Sequence, residues 1–560
     1  MNENSRNIVL AMVMCVLFYM GYSKYMQNKY PHMAKKSKTA EQIKAEGEQA
    51  EVASSTNENP AGAAVAANSQ SPSSEAVENT PQVESKLEAT QLVIETAESS
   101  YKLSQSDSSL QSVKLKDFKE SKEENSESVD LIERRLRFFG MLQTEENPRG
   151  FNGSRNGEDL VFYRKQSDWN ISQTFRVKKD FLSEFQFEFK NLTGKPSPLK
   201  ASVVFEEVMK PAKAAGGLFP SAASGLEGWQ FLHFKVDGDF DDETLTSYCT
   251  DEFFNKEFVN AKIDFLGLNN RYFLKAIMPL DPKSTVVVST KKIGADCAVR
   301  YQFNFNAGDV GAGESVKLSY QGFMGPKSAE YLSKANVDLR DNIQFGIFSF
   351  IAHPVLSFLK WIYSIVQNWG IAVIILTVCL KILFFPLTKA AAVSAIQMKK
   401  IQPEMKKMQA KYKDDRQKMQ AEMMGLYKQH GVNPAKSCLP VLPQIPVFIA
   451  FYNVLMYSLE LRHAPFMGWL QDLSNYDPYY ILPVLLGLLM VLQMKLTPNA
   501  AMDKTQQKVM MVMPLMFTFF MISLPSGLVV YMVVNSMLSI AQQQWLNKRY
   551  SVKPAVSAST

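Results

Sequence analysis

The chain has 560 residues, a formal net charge of +6 and five cysteines. That length accommodates several domains, and so small a positive balance does not by itself point to nucleic acid. Cys15, Cys249, Cys297, Cys379 and Cys438 form no CxxC pair and no cluster with histidine, so neither a metal site nor a cofactor is expected. Cys15, Cys379 and Cys438 sit in or beside apolar runs and read as small hydrophobes. Cys249 and Cys297 share one polar stretch and are free to pair if that stretch is exported, which the sequence leaves open. A mean hydropathy of −0.13 hides a division. Residues up to about 326 are polar or alternating, and those after about 344 are dense in apolar runs.

Residues 8–22 (IVLAMVMCVLFYMGY) form an apolar run with Arg6 before it and no small-x-small cleavage site after it, so residues 1–29 read as an uncleaved signal-anchor helix. Lys24, Lys29, Lys35 and Lys36 follow the run. The positive-inside rule is weak ahead of a long translocated domain, and the N-terminus is placed in the cytoplasm. Residues 30–128 are rich in Ser, Glu, Ala, Gln and Asn, and no aromatic residue lies between Tyr30 and Tyr101. Such a segment buries too little apolar surface to offset its ordering entropy, and it reads as a disordered linker.

The texture then alternates with period two, at Phe185-Gln-Phe187-Glu-Phe189, Trp229-Gln-Phe231 and Tyr301-Gln-Phe303-Asn-Phe305. Alternation between turn signals predicts an antiparallel β-sandwich over 129–335, extracytoplasmic if the rest of the topology holds. The glycine-rich run 308–313 has no Gly-Lys-Ser/Thr and no helix after it, so it reads as a hairpin turn and not as a phosphate loop. Residues 336–368 contain an aromatic-rich segment broken by His353-Pro354 and carrying Lys360-Trp361, the pattern of an interfacial amphipathic helix.

The membrane core is expected over 369–550. Its first run, GIAVIILTVCLKILFFPLTK at 370–389, carries Lys381 well inside apolar sequence, and a charge at that depth is by default a functional hypothesis. The simpler reading is snorkelling, because Lys381 precedes Lys389 by eight residues, about 12 Å along a helix. Residues 390–436 read as a helical hairpin, with basic residues at 389, 399, 400, 406, 407, 411, 413, 416, 418, 428 and 436 against acids at 404, 414, 415 and 422. Met398, Met405, Met419 and Met423 fall on a repeating apolar stripe that mainly holds the hairpin together. Lys399, Lys400, Lys406, Lys407 and Arg416 give it a basic face, and with any exposed methionines they are the candidate contact for nascent chains and the ribosome. Four more apolar spans follow near 439–459, 479–494, 509–524 and 527–542. The basic residues of the hairpin, of the loop at 495–508 and of the tail at 551–560 put all three in the cytoplasm, for six spans in all.

The helical half resembles the membrane protein insertase family that includes YidC, Oxa1 and Alb3. The carrying residues are Asn368-Trp-Gly370, Phe385-Pro-Leu-Thr-Lys389, Gln402-Pro403, Val432-Asn-Pro434, Leu442-Pro-Gln-Ile-Pro446, Glu460-Leu-Arg462, Asp477-Pro-Tyr-Tyr-Ile-Leu-Pro483 and Pro525-Ser-Gly527. The Gram-negative branch adds an N-terminal anchor and a periplasmic β-domain, and here Arg271-Tyr-Phe273 carries a thinner likeness. The resemblance implies five core helices around a hydrophilic groove open to cytoplasm and lipid. It also implies an inner-membrane location, no enzymatic activity, and as partners nascent membrane proteins, the Sec translocon, the ribosome with its targeting machinery, and membrane lipids. Relatives carry arginine where this chain has Lys381, which keeps the charge and loses the bidentate fork. Thr377 matches a functional threonine one turn earlier, and Tyr531 remains of a tyrosine pair whose second member is Met532 here.

On physical grounds alone, a groove of Lys381, Thr377, Gln444, Asn453, Gln493 and Asn535 would lower the desolvation barrier to moving polar segments through hydrocarbon. For the amides, interhelical hydrogen bonding is the plainer role. The competing class is a transporter or lipid scramblase, which a polar groove also suits; weak internal symmetry would favour it, and none is visible. Protease motifs such as GxSG and HExxH are absent from the sequence.

Overall fold

The computed structural model of the chain describes residues 91–123, 125–145, 150–210, 231–245, 254–281, 283–412, 415–431, 441–496 and 514–550. The expected signal anchor, the linker as far as residue 90, Cys249, Val432-Asn-Pro434, most of the 495–508 loop and the C-terminal tail lie outside them.

The N-terminal half is built of two antiparallel sheets with nine described strands each. The first sheet runs through Gln91–Glu95, Ser99–Ser104, Ser109–Lys119, Arg135–Leu142, Ser197–Met209, Asp296–Val310, Ser284–Ile293 and Asn255–Ala261, with Ser128–Asp130 beside Ser109–Lys119. The second runs through Asp239–Thr244, Phe231–Val236, Ile263–Asn269, Phe273–Pro279, Ser315–Pro326, Leu182–Asn191, Trp169–Val177, Asp159–Gln166 and Asn152–Asn156. Phe138 of the first sheet meets Phe162, Phe175 and Phe185 of the second at centroid distances of 5.9, 5.6 and 5.0 Å. The sheets therefore pack face to face, and each such aromatic pair adds about 0.5–1.5 kcal/mol beyond its buried area. Alternation does what it predicts: Phe185, Phe187 and Phe189 are buried while Gln186 between them is exposed.

Two expectations are corrected. Residues 91–128 are not linker, because strands begin at Gln91. Ile94, Tyr101, Leu103, Val113 and Leu115 enter the core from a segment whose serines and lysines dilute the alternation below notice. The 308–313 run is a turn, as expected, but not a hairpin: Asp296–Val310 pairs in the first sheet and Ser315–Pro326 in the second, so the chain changes sheets there. Gly308 and Gly313 supply the left-handed corners at φ +68° and +73°. Asn191 Nδ2 holds the corner by donating to Val310 O at 2.9 Å.

The C-terminal half contains helices α1 (Ser349–Val366), α2 (Trp369–Leu383), α3 (Phe385–Lys411), α4 (Arg416–Gln429), α5 (Val441–Tyr457), α6 (Ile481–Leu496) and α7 (Ser526–Tyr550), with a further helical stretch at 514–521. The expected single run 370–389 breaks at Phe384, where α2 and α3 are bent by 64°. Pro386 sits in the first turn of α3, where a missing N–H costs nothing, and it disfavours a helix continuing from the turn before it. Among the described residues one helix, Gly346–Val366, is long and apolar enough to cross a membrane unaided. It is the stretch expected to lie in the interface. α2 with the first part of α3 passes the same test only as a bent pair, and α5 and α6 are apolar but shorter.

The motifs quoted above seat helix ends on one loop, 458–480. Asn368 caps α2 by accepting from Ile371 N at 3.0 Å and donates to Phe466 O at 2.9 Å. Ser526 N and Gly527 N donate to Asn475 O and Leu473 O at 2.6 and 3.0 Å. Asp477, 1% exposed, accepts from Trp469 Nε1 at 3.0 Å and from Leu482 N at 2.8 Å, at the start of α6. The same loop and the end of α5 hold the β-domain: Arg271 donates to Met456 O of α5 and, at 3.2 Å, to Ser474 O, while the Arg462 guanidinium lies over the Tyr272 and Phe273 rings.

Candidate functional site

α7 packs against α2 and α6, and polar groups collect where these helices meet α3 and α5. Lys381, in the last turn of α2, is half-buried and donates to Ser539 Oγ at 2.7 Å; Ser539 in turn donates to Asn535 O at 2.7 Å. No carboxylate among the described residues pairs with Lys381. The ammonium points across the bundle to α7, so here the lysine does not simply run out along its own helix. Gln444 Nε2 donates to Tyr531 Oη at 2.8 Å, and the Tyr531 ring rests on Phe451 at 5.0 Å. Thr377, 1% exposed, donates to Val373 O at 2.7 Å, closing the hydrogen bond within its own helix.

Lys381, Gln444, Gln493 and Asn535 line a cavity of about 320 Å³ together with Ser539, Gln542 and Gln543. A small adjoining pocket of about 10 Å³ brings in Thr377 and Tyr531. Six of the seven expected groove residues thus come together. Asn453 does not: it donates to Phe345 O at 2.7 Å, pinning the start of the α1 segment, which is the interhelical role that competed for it. Sequence reasoning missed Ser539, Gln542, Gln543 and Thr388, the last bonded to Gln542 at 2.7 Å. The spacing of Tyr531, Asn535, Ser539 and Gln542 is a helical stripe that could have found Ser539 and Gln542. The outer faces of the bundle are apolar: Ile382 is 69% exposed, Leu488 65% and Phe519 74%.

In the helical hairpin α3–α4, Met405 is fully buried with Ile401 and Leu426, and Met398 and Met423 pack against them. Met419 is half-buried, and Lys400, Lys406 and Lys407 are exposed. The side chains of Lys399 and Arg416 lie outside the described residues. Cys297 is disulfide-bonded, with its partner outside the described residues.

Two family models match the chain: the 60Kd inner membrane protein over residues 361–553 and the YidC periplasmic domain over residues 91–358. A membrane protein insertase YidC of Geobacter metallireducens is 44% identical over 292 residues, which is 52% of this chain and 53% of the relative. The namesake from Geotalea uraniireducens is 42% identical over 315 residues, 55% of this chain and 58% of the relative. The chain thus spans little more than half the length of the curated relatives it matches. An active YidC insertase crystal structure shares 17% identity at a TM-score of 0.36, covering 80% of this chain and 91% of that one. With two adjoining models accounting for residues 91–358 and 361–553, the chain belongs to the YidC family of inner membrane proteins that carry a periplasmic domain.

Proposed function

We propose that this chain inserts membrane proteins into the inner membrane and helps them fold, using the groove between α2, α5 and α7. One observation carries the reading: an ammonium held in a polar cavity, inside a bundle with an apolar exterior, with Ser539 and, among the described residues, no carboxylate as its partner. Burying an unpaired polar group costs about 2–7 kcal/mol, and that cost is the barrier a translocating polar segment meets in hydrocarbon. The groove's amides and hydroxyls replace part of its hydration. An acidic side chain about 4 Å from Lys381 gains about 4 kcal/mol at an effective dielectric constant near 20, enough to draw in the segment without trapping it. Apolar client sequence then leaves along the lipid-facing sides of the bundle.

The topology that suits this reading has six spans, cytoplasmic termini and hairpin, and a periplasmic β-domain, with α1 lying along the periplasmic interface. The exposed lysines of the hairpin suit ribosomal RNA, nascent chains or anionic headgroups. The Sec translocon is a partner where a client needs both routes.

The test is insertion of a client with an acidic translocated segment, in cells depleted of the native protein and supplied with wild type, Lys381→Ala or Lys381→Arg. Failure of alanine with function in arginine supports a mechanism resting on positive potential. Normal insertion by alanine removes Lys381 from the mechanism. If the wild type itself inserts nothing, the lipid scramblase reading takes its place.

A further inference from the structure

We propose that the cavity between the β-domain and helix α1 is a binding site for the phosphate headgroup of an anionic phospholipid. The cavity, about 480 Å³, is lined by Lys327, Arg340, His353, Lys360 and Ser458, and also by the carboxylates of Asp338, Asp341 and Glu460. Lys327 follows the last β-strand and is pinned by its backbone N–H to Tyr272 O at 2.8 Å. It is 9% exposed, and among the described residues its ammonium has neither an ion-pair nor a hydrogen-bond partner. The neighbouring cations are matched: Arg340 pairs with Asp338 at 2.5 Å, Lys235 with Asp341 at 2.7 Å, and Lys360 with Glu460. Among the described residues, Lys327 is the lysine or arginine lining the cavity that has no such pair.

A second group lining the cavity, just past the end of α5, is also unsatisfied. Ser458, 2% exposed, has a buried Oγ without a hydrogen-bond partner. A buried ammonium without an anion and a buried hydroxyl without a partner each carry a cost that native structures avoid. A phosphate supplies acceptors for both through charge-assisted hydrogen bonds. Burial and the nearby Arg271 guanidinium hold the Lys327 ammonium down to about 7, and an entering anion would reverse this.

The choice of a lipid over a free ion rests on the exposed face of α1 outside the cavity, whose lining takes His353, Leu356, Ser357 and Lys360 from that helix. α1 exposes Phe350, Trp361 and Ile365, and Trp361 stacks on Phe358 at 5.5 Å. An apolar helix face with an aromatic at its edge belongs against acyl chains at a membrane interface. A headgroup in the cavity would leave its chains along that face. The proposal depends on the family's membrane location and not on the insertase reading.

The test is lipid retention by the full chain in detergent, read by native mass spectrometry after exchange into phosphatidylglycerol or phosphatidylcholine. The wild type is expected to retain one phosphatidylglycerol about tenfold over phosphatidylcholine, and Lys327→Gln to lose most of that preference while Lys327→Arg keeps it. Ser458→Ala, a smaller change, should weaken the preference about threefold and carries the test if Lys327→Gln fails to fold. An unchanged preference in the folded variants overturns the proposal. Retention of inorganic phosphate that displaces the lipid would overturn the assignment to lipid.

Discussion

The two halves of this molecule treat a buried lysine in opposite ways. In the β-domain, Lys275 is 5% exposed and forms an ion pair with Glu207, itself 3% exposed, with Leu131 O as a second acceptor. In the helical bundle, Lys381 is half-buried and among the described residues meets a serine hydroxyl and no carboxylate. The first lysine is neutralised by a partner on the neighbouring sheet and so fixes sheet against sheet. The second has no carboxylate partner among the described residues and lines a cavity. A matched charge specifies structure, and under the proposed function the unmatched one meets the client.

Breaking the matched pair should have the largest effect on stability. Glu207→Ala strands Lys275 in the sandwich and should cost about 3–5 kcal/mol, seen as a large drop in the thermal midpoint of the β-domain signal by circular dichroism. The corresponding change in the bundle, Lys381→Ala, should leave that midpoint alone and fail only in insertion. Equal destabilisation by both would erase the contrast.

The junction between the halves is tested next. A Cβ on Gly370 would lie 1.9 Å from a Phe466 ring atom, so Gly370→Ala should cost about 1–3 kcal/mol by overpacking, with partial recovery in Gly370→Ala/Phe466→Leu. Melting of the detergent-solubilised chain measures both.

A third prediction concerns acid. Burial holds the His233 imidazole down to about 3, against an ordinary value of 6.5. The unfolded chain then binds a proton below pH 6.5 that the folded domain refuses, so stability is complete above 6.5 and falls towards pH 3. The slope from this group is about 1.4 kcal/mol per pH unit. His233→Gln should flatten the loss of denaturant midpoint between pH 6 and pH 4, and an unchanged slope would assign it to carboxylates.

The smallest effect is expected inside the groove. Tyr531→Phe removes the acceptor for Gln444 and should cost about 1 kcal/mol of stability, with client insertion slowed less than by Lys381→Ala. A loss as severe as that of Lys381→Ala would make the hydroxyl part of the working surface.

Much of this was legible along the chain because it is local. Period-two alternation reveals the strand at Leu182–Asn191, and a lysine in an apolar run marks the polar cavity it lines. The early strands from Gln91 escaped because their apolar residues are few and set among serines. The break at Phe384 was written in Pro386, yet hydropathy averaged over it.

What the sequence determined by itself is the division into a sheet domain and an apolar helical core, together with the chemistry of Lys381, since periodicity and composition act over a few residues. The tertiary structure decided the partners. Lys381 meets Ser539 from 158 residues away, Asn453 turns from the groove to Phe345, and the 308–313 turn changes sheets instead of reversing within one. Each of those choices depends on which surfaces pack together, and a single local sequence is compatible with several.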